Sequence, residues 1–242
     1  MTRTFKVLSA LLSYPTAELQ QAVPELRAVV AAEDVLPATV RRQLDTLIEE
    51  LATHDLYDLQ ERYVFLFDRT RSLSLHLFEH VHGESRDRGQ AMINLKAVYE
   101  KGGLSIAAAE LPDFLPLFLE FLSTRPAAEA LELLGQPAHI LSALAERLRK
   151  RRSPYEAVLR ALIALSTTKP KAEQVAELLK AADPDPTDLA ALDAAWEDEP
   201  VTFGPGAANG CKDGLVARVR AARRPAAGMT VPAATRPVIS RS

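Results

Sequence analysis

The chain has 242 residues, of which 48% are hydrophobic and 25% charged, and its formal net charge is −3. This composition is close to that of an average soluble globular protein, and the negative balance argues against general nucleic-acid binding. A single cysteine, Cys211, excludes an internal disulfide framework and a zinc ribbon.

The apolar segments are too short to suggest a membrane protein. No run approaches the roughly 18 residues that a membrane-spanning helix needs, so we expect no integral membrane segment. The apolar stretch between Arg3 and Tyr14 lacks a small-x-small cleavage site and runs directly into a helical pattern. It therefore favours a helix of the mature protein over a signal peptide, and we expect a cytoplasmic location.

The distribution of charge predicts two regions. Residues 198–242 carry seven Lys/Arg against three Asp/Glu and contain few large apolar side chains. Such a segment cannot bury enough apolar surface to offset the entropy lost on ordering. We therefore expect a helical domain over residues 1–197 and a flexible basic tail over residues 198–242.

Apolar residues recur at helical spacing through the first half of the chain. The stripe over residues 19–30 is interrupted by Pro24, which starts a second helical piece. Another stripe covers residues 40–51, and the next covers residues 56–66 after Asp55, a favourable N-cap.

The second half of the chain continues this pattern. A helix opening at Ser85 or Arg86 is closed by Gly102 and Gly103, and residues 114–122 are apolar on all sides, which is typical of a central helix. No alternating β-branched run lies between turn signals, so the sequence predicts a single all-α domain of about nine to eleven helices. Further helical stripes cover residues 140–148, 155–163 after an N-cap at Ser153 and Pro154, 175–179 and 189–196.

Residues 63–92 do not resemble ordinary core, because three of the five histidines lie there among arginines and carboxylates. Burying such a mixture is costly unless each polar group finds a partner. We predict either an ion-paired connection that locks two helices together or a recognition surface. The predicted structural polar cluster comprises Asp68, Arg69, His76, Glu79, His80, His82, Glu84, Arg86, Asp87 and Arg88.

The same segment offers a metal hypothesis. His76, Glu79 and His80 match the H-x-x-E-H pattern of inverted zinc proteases, and on a helix both imidazoles would lie on one face with Glu79 as the base. His82 or Glu84 could be offered as a third ligand, but His82 falls where a helix would be ending. A distal ligand and a substrate-binding strand are not evident. A metal-dependent hydrolase is therefore the alternative, and we expect neither catalytic residues nor a metal.

A partner-binding surface is predicted where acidic and aromatic residues overlap. Residues 37–68 are acidic, and residues 57–121 hold nine of the fourteen aromatic side chains. Together they suit an amphipathic peptide helix with basic residues, although a solvated helical face also explains the acidic residues. The predicted partner contacts are Asp45, Glu49, Asp58, Glu61, Tyr63, Phe67, Leu75, Phe78 and Val81.

A basic run covers residues 147–152, where five of the six side chains are Lys or Arg. Cations at the C-terminal end of a helix complement its dipole, which is the simplest interpretation. Contact with an anion or a lipid headgroup is the alternative.

Two stretches carry a resemblance to a known family. Residues 62–69 read RYVFLFDR and residues 74–92 read SLHLFEHVHGESRDRGQAM. Together with residues 5–15 and 196–204, they resemble the NarJ-type nitrate reductase molybdenum cofactor assembly chaperones, which are related to the TorD-like redox enzyme maturation chaperones.

The resemblance implies an all-helical chaperone and not an enzyme, and we expect no resident cofactor. Its implied partner is the catalytic (alpha) subunit of respiratory nitrate reductase, bound partly through an N-terminal leader-like peptide. The chaperone would keep this subunit competent for insertion of molybdenum cofactor and an iron–sulfur cluster before membrane docking. Binding in a groove and binding on an outer surface both stay open.

Overall fold

The computed structural model describes residues 2–82, 85–106, 110–185, 187–188 and 190. Within these residues the chain forms α-helices, one 3₁₀ turn at Arg71–Leu73 and an isolated antiparallel β-bridge between His76 and Phe114, but no strand. The predicted all-α class is therefore confirmed. The predicted tail over residues 198–242, and all but one residue of the predicted stripe over 189–196, lie outside the described residues.

The described part of the chain contains twelve α-helices, one more than the upper end of the predicted range. Two helices lie outside every predicted stripe, α6 with four residues and α9 with eight. The helices are α1 (Thr2–Leu11), α2 (Ala17–Gln21), α3 (Val23–Glu33), α4 (Ala38–Thr53), α5 (Leu56–Phe67), α6 (Glu79–His82), α7 (Arg86–Lys101), α8 (Leu115–Ser123), α9 (Ala127–Leu134), α10 (Ala138–Lys150), α11 (Glu156–Leu165) and α12 (Ala172–Lys180).

Local sequence signals set several helix ends as predicted. Pro24 occupies the first turn of α3, where its missing N–H leaves no helical hydrogen bond unmade. Asp55 caps α5 because its carboxylate accepts a hydrogen bond from the backbone N–H of Tyr57 at 2.8 Å. Helix α7 ends at Lys101, and Gly102 is its C-cap residue.

The predicted start of α11 was wrong by two residues. Ser153 and Pro154 form a turn in which the Ser153 hydroxyl accepts from the backbone N–H of Tyr155 at 3.4 Å, and the helix begins at Glu156. Tyr155 is fully buried and its ring packs edge-on against Phe67, with the centroids 5.1 Å apart. Tyr155 thus packs in the core as the residue directly before the helix and not within its first turn.

Helices α1 and α8 form the centre of the core. Phe5, Leu8 and Leu11 of α1 are fully buried, and this face packs along α8. Phe118 and Leu119 of α8 are also buried, as expected for a helix that is apolar on nearly every side. Helix α10 packs along α11, while α4 lies against α3 and α11. None of the described helices has the length and apolar character required to cross a membrane.

The start of α1 is tied to the end of α3 through Glu33. Its carboxylate accepts from the backbone N–H groups of Arg3 and Thr4 at 3.2 and 2.8 Å and from the Thr4 hydroxyl at 2.6 Å. Partial burial raises the pKa of Glu33, but hydrogen bonds including those from Thr4 and Arg3 outweigh it and lower this pKa to about 2. A carboxylate at this position also complements the helix dipole.

Candidate functional site

The segment between α5 and α7 is held in place by Asp113, a residue that sequence reasoning missed. Its fully buried carboxylate accepts from the backbone N–H of Phe78 at 3.0 Å and lies 3.2 Å from Nδ1 of His76. The backbone carbonyl of Asp113 also accepts from the N–H of Leu77 at 3.0 Å. We call residues 74–82 the histidine connection. The signal that could have found Asp113 is a lone carboxylate directly before the most apolar helix.

The histidine connection contains two histidines with opposite pKa changes. The hydrogen bond from His76 to Asp113 raises the pKa of His76. Burial lowers the pKa of His80, whose Nε2–H donates to the backbone carbonyl of Ser74 at 2.8 Å. Nearby, burial raises the pKa of Asp68, although the charge of His76 acts in the opposite direction.

The predicted polar cluster is only partly assembled as one unit. Arg88 donates to Glu79 at 3.0 Å, which joins α7 to α6. The ring of His82 instead packs against Phe78, and Arg69 lies over the ring of Phe65. The cluster is therefore divided, with Asp113 anchoring its histidine side. Of the other predicted members, Asp87 is half-buried in α7, and Glu84 and the side chain of Arg86 lie outside the described residues.

The metal hypothesis required His76 and His80 to share one helical face, and this arrangement is absent. Helix α6 begins only at Glu79, so His76 precedes it. The ring of each histidine contacts a different partner, Asp113 for His76 and Ser74 for His80. Among the residues that the structure describes, no group of three or more His, Cys, Asp or Glu side chains could hold a metal ion.

Four predicted partner contacts are core residues, which corrects their predicted placement on a surface. Tyr63, Phe67, Leu75 and Phe78 are at most 5% exposed. Helical spacing indicated that these apolar residues share a face, but it could not distinguish a binding face from a buried one. Tyr63 has a clear structural role, because its hydroxyl donates to the carbonyl of Leu12 at 2.9 Å.

The other predicted contacts have different positions. Asp45 and Glu49 are exposed on α4, and Glu49 forms an ion pair with Arg27. Val81 is half-buried against the core. Asp58 and Glu61 are exposed on α5, and both line a cleft.

We call this cleft, which has a volume of about 530 Å³, the tyrosine cleft. Two aromatic side chains at its edge are unusually exposed, Tyr57 at 79% and Tyr14 at 46%. Tyr14 stacks edge-on against buried Tyr63 with the ring centroids 5.6 Å apart, so the core supports its orientation. The cleft is lined by Tyr14, Tyr57, Asp58, Gln60, Glu61, Val64, Phe65 and Arg69.

The tyrosine cleft joins two parts of the chain that are distant in sequence. Gln60 donates from its side-chain amide to the carbonyl of Pro15 at 2.9 Å, which fastens the segment after α1 to α5. The lining contains two carboxylates, Asp58 and Glu61, and one cation, Arg69. Its chemistry is thus aromatic and acidic, which suits binding and offers no arrangement of nucleophile and base.

The fold is that of an all-α protein, and comparisons with known proteins identify its family. The sequence model of the nitrate reductase delta subunit family matches residues 33–160. The chain therefore belongs to the nitrate reductase delta subunit family, as the sequence resemblance predicted. This is a family of maturation chaperones and not of catalytic enzymes.

Individual relatives extend the similarity to nearly the whole chain. The nitrate reductase molybdenum cofactor assembly chaperone NarJ of Escherichia coli strain K12 is 45% identical over 210 residues, 87% of this chain and 88% of the relative. A Bacillus subtilis protein named as a probable chaperone of the same kind is 33% identical over 66% of this chain and 86% of its own length.

A solved structure supports the fold. The crystal structure of a candidate redox enzyme maturation protein from Archaeoglobus fulgidus superposes with a TM-score of 0.50. It covers 67% of this chain and 91% of its own chain at 21% sequence identity. The helical architecture is therefore shared even where the sequences have diverged.

Proposed function

We propose that this protein is an assembly chaperone for respiratory nitrate reductase that acts in the cytoplasm. It binds the catalytic molybdenum subunit and keeps that subunit competent for insertion of molybdenum cofactor and an iron–sulfur cluster until it docks at the membrane. The similarity to the Escherichia coli chaperone over most of both chains is the observation that carries this proposal.

The tyrosine cleft is the proposed site for the N-terminal leader-like segment of that subunit. Tyr57 and Tyr14 expose aromatic surface that can take the apolar stripe of a peptide helix. Asp58 and Glu61 place carboxylates where they can meet basic residues of the same peptide. An amphipathic peptide with at least one cation beside its apolar stripe therefore fits the cleft.

The buried aromatic residues support this site indirectly. Tyr63 contacts Tyr14 and Phe67, with ring centroids 5.6 and 5.0 Å apart. Truncating Tyr63 would therefore disturb the core together with the cleft. Exposed residues such as Tyr57 give a cleaner test of peptide binding.

The experiment is a fluorescence anisotropy titration of a labelled peptide from the N-terminus of the nitrate reductase catalytic subunit. We expect Tyr57→Ala to raise the Kd about tenfold or more, since truncation of an aromatic anchor typically costs about 1–2 kcal/mol. The double variant Asp58→Asn and Glu61→Gln should also weaken binding. This loss should be larger at low salt than at high salt, because salt screens exposed charges.

The controls remove similar side chains elsewhere. Ile93→Ala shortens another exposed apolar residue, on α7, and Glu129→Gln removes an exposed carboxylate on α9. Both should bind the peptide like the unmodified protein. Unchanged affinity in the Tyr57 and carboxylate variants would show that the peptide does not bind in the tyrosine cleft. Failure of the protein to bind the intact catalytic subunit would instead contradict the chaperone function itself.

A further inference from the structure

A second cleft, of about 720 Å³, shares Phe65 with the tyrosine cleft. It lies between α5, the turn that joins α10 to α11, and residues 183–185. Its volume is within the range of about 300–1,000 Å³ that is usual for small-molecule sites. We call it the arginine cleft.

The charged side chains of the arginine cleft are Arg62, Lys150, Arg151 and Arg152 against Glu50, Asp183 and Asp185. The carboxylate of Glu50 forms an ion pair with Arg62, and that of Asp183 forms one with Arg151, each at 2.5 Å. Lys150 and Arg152 are exposed and form no ion pair with other residues that the structure describes. Positive charge therefore remains available at the rim.

Buried donors without acceptors are concentrated at the same place. In the described part of the chain, Nε and Nη2 of Arg62 and Nη1 of Arg151 are buried with no acceptor in hydrogen-bond geometry, and the Arg62 guanidinium interacts with the Tyr155 hydroxyl. Arg62 and Arg151 line the cleft, and the Arg62 guanidinium lies 5.7 Å from the centroid of the Tyr155 ring. Buried polar groups are nearly always hydrogen-bonded, and unpaired charged donors are costly. This clustering of donors points to an acceptor-rich group.

The basic run at the end of α10 is divided by the fold. Arg147 points inward and donates to the carbonyl of Ser72 at 2.7 Å, and Arg149 pairs with Glu146. Neither lines the arginine cleft, whereas the three residues over 150–152 do. Half of the basic run, residues 150–152, therefore lines this cleft, and this run is the sequence feature that suggested an anion contact.

We propose that the arginine cleft binds the phosphate group of a small molecule or lipid headgroup. A phosphate group offers several strong acceptor oxygens and up to two negative charges, which suits a cleft lined by the guanidinium groups of Arg62 and Arg151 with the exposed cation of Lys150 at its rim. Arginine can hold two such oxygens at once, and Lys150 adds a point charge. A carboxylate fits less well, because Glu50 and Asp183 already supply that group.

The test uses pyrophosphate as the probe and the full chain, by isothermal titration calorimetry at constant ionic strength. Lys150→Gln and Arg62→Lys should each raise the Kd about tenfold, as expected for loss of one charge-assisted hydrogen bond. The matched control is Arg149→Gln, which removes a cation one residue from Lys150 and outside the cleft lining. Because its charge is exposed and lies outside the cleft, Arg149→Gln should change the Kd less than about twofold.

Vesicles distinguish the two sources of phosphate. Binding to phosphatidylcholine vesicles that contain phosphatidic acid, with competition by pyrophosphate, would identify a lipid headgroup. Pyrophosphate binding without vesicle binding would identify a soluble phosphate ester. The proposal is overturned if neither probe binds, or if Arg149→Gln weakens binding as much as Lys150→Gln. None of these outcomes bears on peptide binding in the tyrosine cleft.

Discussion

At the scale of single residues, Asp113 anchors the histidine connection at two points and raises the pKa of His76. Its carboxylate contacts both the His76 ring and the Phe78 backbone. His76 gains a partner for its charged form, whereas His80 is held in its neutral form by burial. Two histidines only four residues apart should therefore respond to pH with opposite signs.

The signs follow from linkage between protonation and folding. The pKa of His76 is raised in the folded state, so its contribution to stability is complete below the unfolded value of about 6.5 and is lost as the pH rises through the folded value. The pKa of His80 is lowered, so protonation in the unfolded state favours unfolding once the pH falls below about 6.5.

Asp113→Asn tests this account. We expect the free energy of unfolding at pH 6 to fall by about 2 kcal/mol, because a buried hydrogen bond to a charged group is lost. The NMR titration midpoint of His76 should also move to lower pH. Asp45→Asn, at an exposed position on α4, should change stability by no more than about 0.5 kcal/mol. An unmoved His76 midpoint in Asp113→Asn would show that Asp113 does not control this ring.

At the scale of secondary-structure elements, one buried arginine joins three of them. Arg147 of α10 donates to the carbonyl of Ser72 in the 3₁₀ turn and to that of Leu178 in α12, each at 2.7 Å. Burial lowers the pKa of Arg147, while the charge of Asp183 opposes that change. The guanidinium thus supplies hydrogen-bond donors to these two backbone carbonyls.

Arg147→Ala should lower the free energy of unfolding by about 2–3 kcal/mol, since buried carbonyls lose their donors. Amide hydrogen exchange should accelerate mainly in α12, which Arg147 ties to α10. Arg149→Ala, at the same helix end but exposed and paired with Glu146, should cost about 0.5 kcal/mol or less. Equal losses of stability in the two variants would rule out a special role for the buried arginine.

At the scale of the whole molecule, the core joins residues more than 100 positions apart. Helix α1 packs along α8, and the Ser9 hydroxyl donates to the carbonyl of Pro116 at 2.7 Å. The segment directly after α1 then supplies Tyr14 to the tyrosine cleft. Formation of the proposed peptide site therefore depends on docking of the N-terminal helix.

Leu8→Ala should lower the free energy of unfolding by about 2–5 kcal/mol, the range for a leucine removed from a close-packed core. Urea denaturation measures this loss. Lys6→Ala changes a residue two positions earlier on the same helix, where the side chain is exposed and paired with Glu120, and should cost at most about 1 kcal/mol. A cost for Leu8→Ala no larger than that of the lysine variant would contradict a central position for α1.

The sequence by itself determined the elements that depend on neighbouring residues. Apolar spacing of three and four predicted the all-α fold, Asp55 and Pro24 marked helix starts, and residues 62–92 identified the family. These signals are local, because a helix forms hydrogen bonds only four residues away and its cap acts within one turn.

Tertiary structure alone decided which side chains face the solvent and which polar groups meet. The apolar spacing of α5 is the same whether Tyr63 and Phe67 bind a partner or pack inside. In the folded chain both rings pack against Tyr155, which comes from a distant part of the sequence. The contact between Asp113 and His76 spans 37 residues, and the clefts combine segments further apart still. Such contacts depend on the relative positions of whole helices, which no periodicity within one helix specifies.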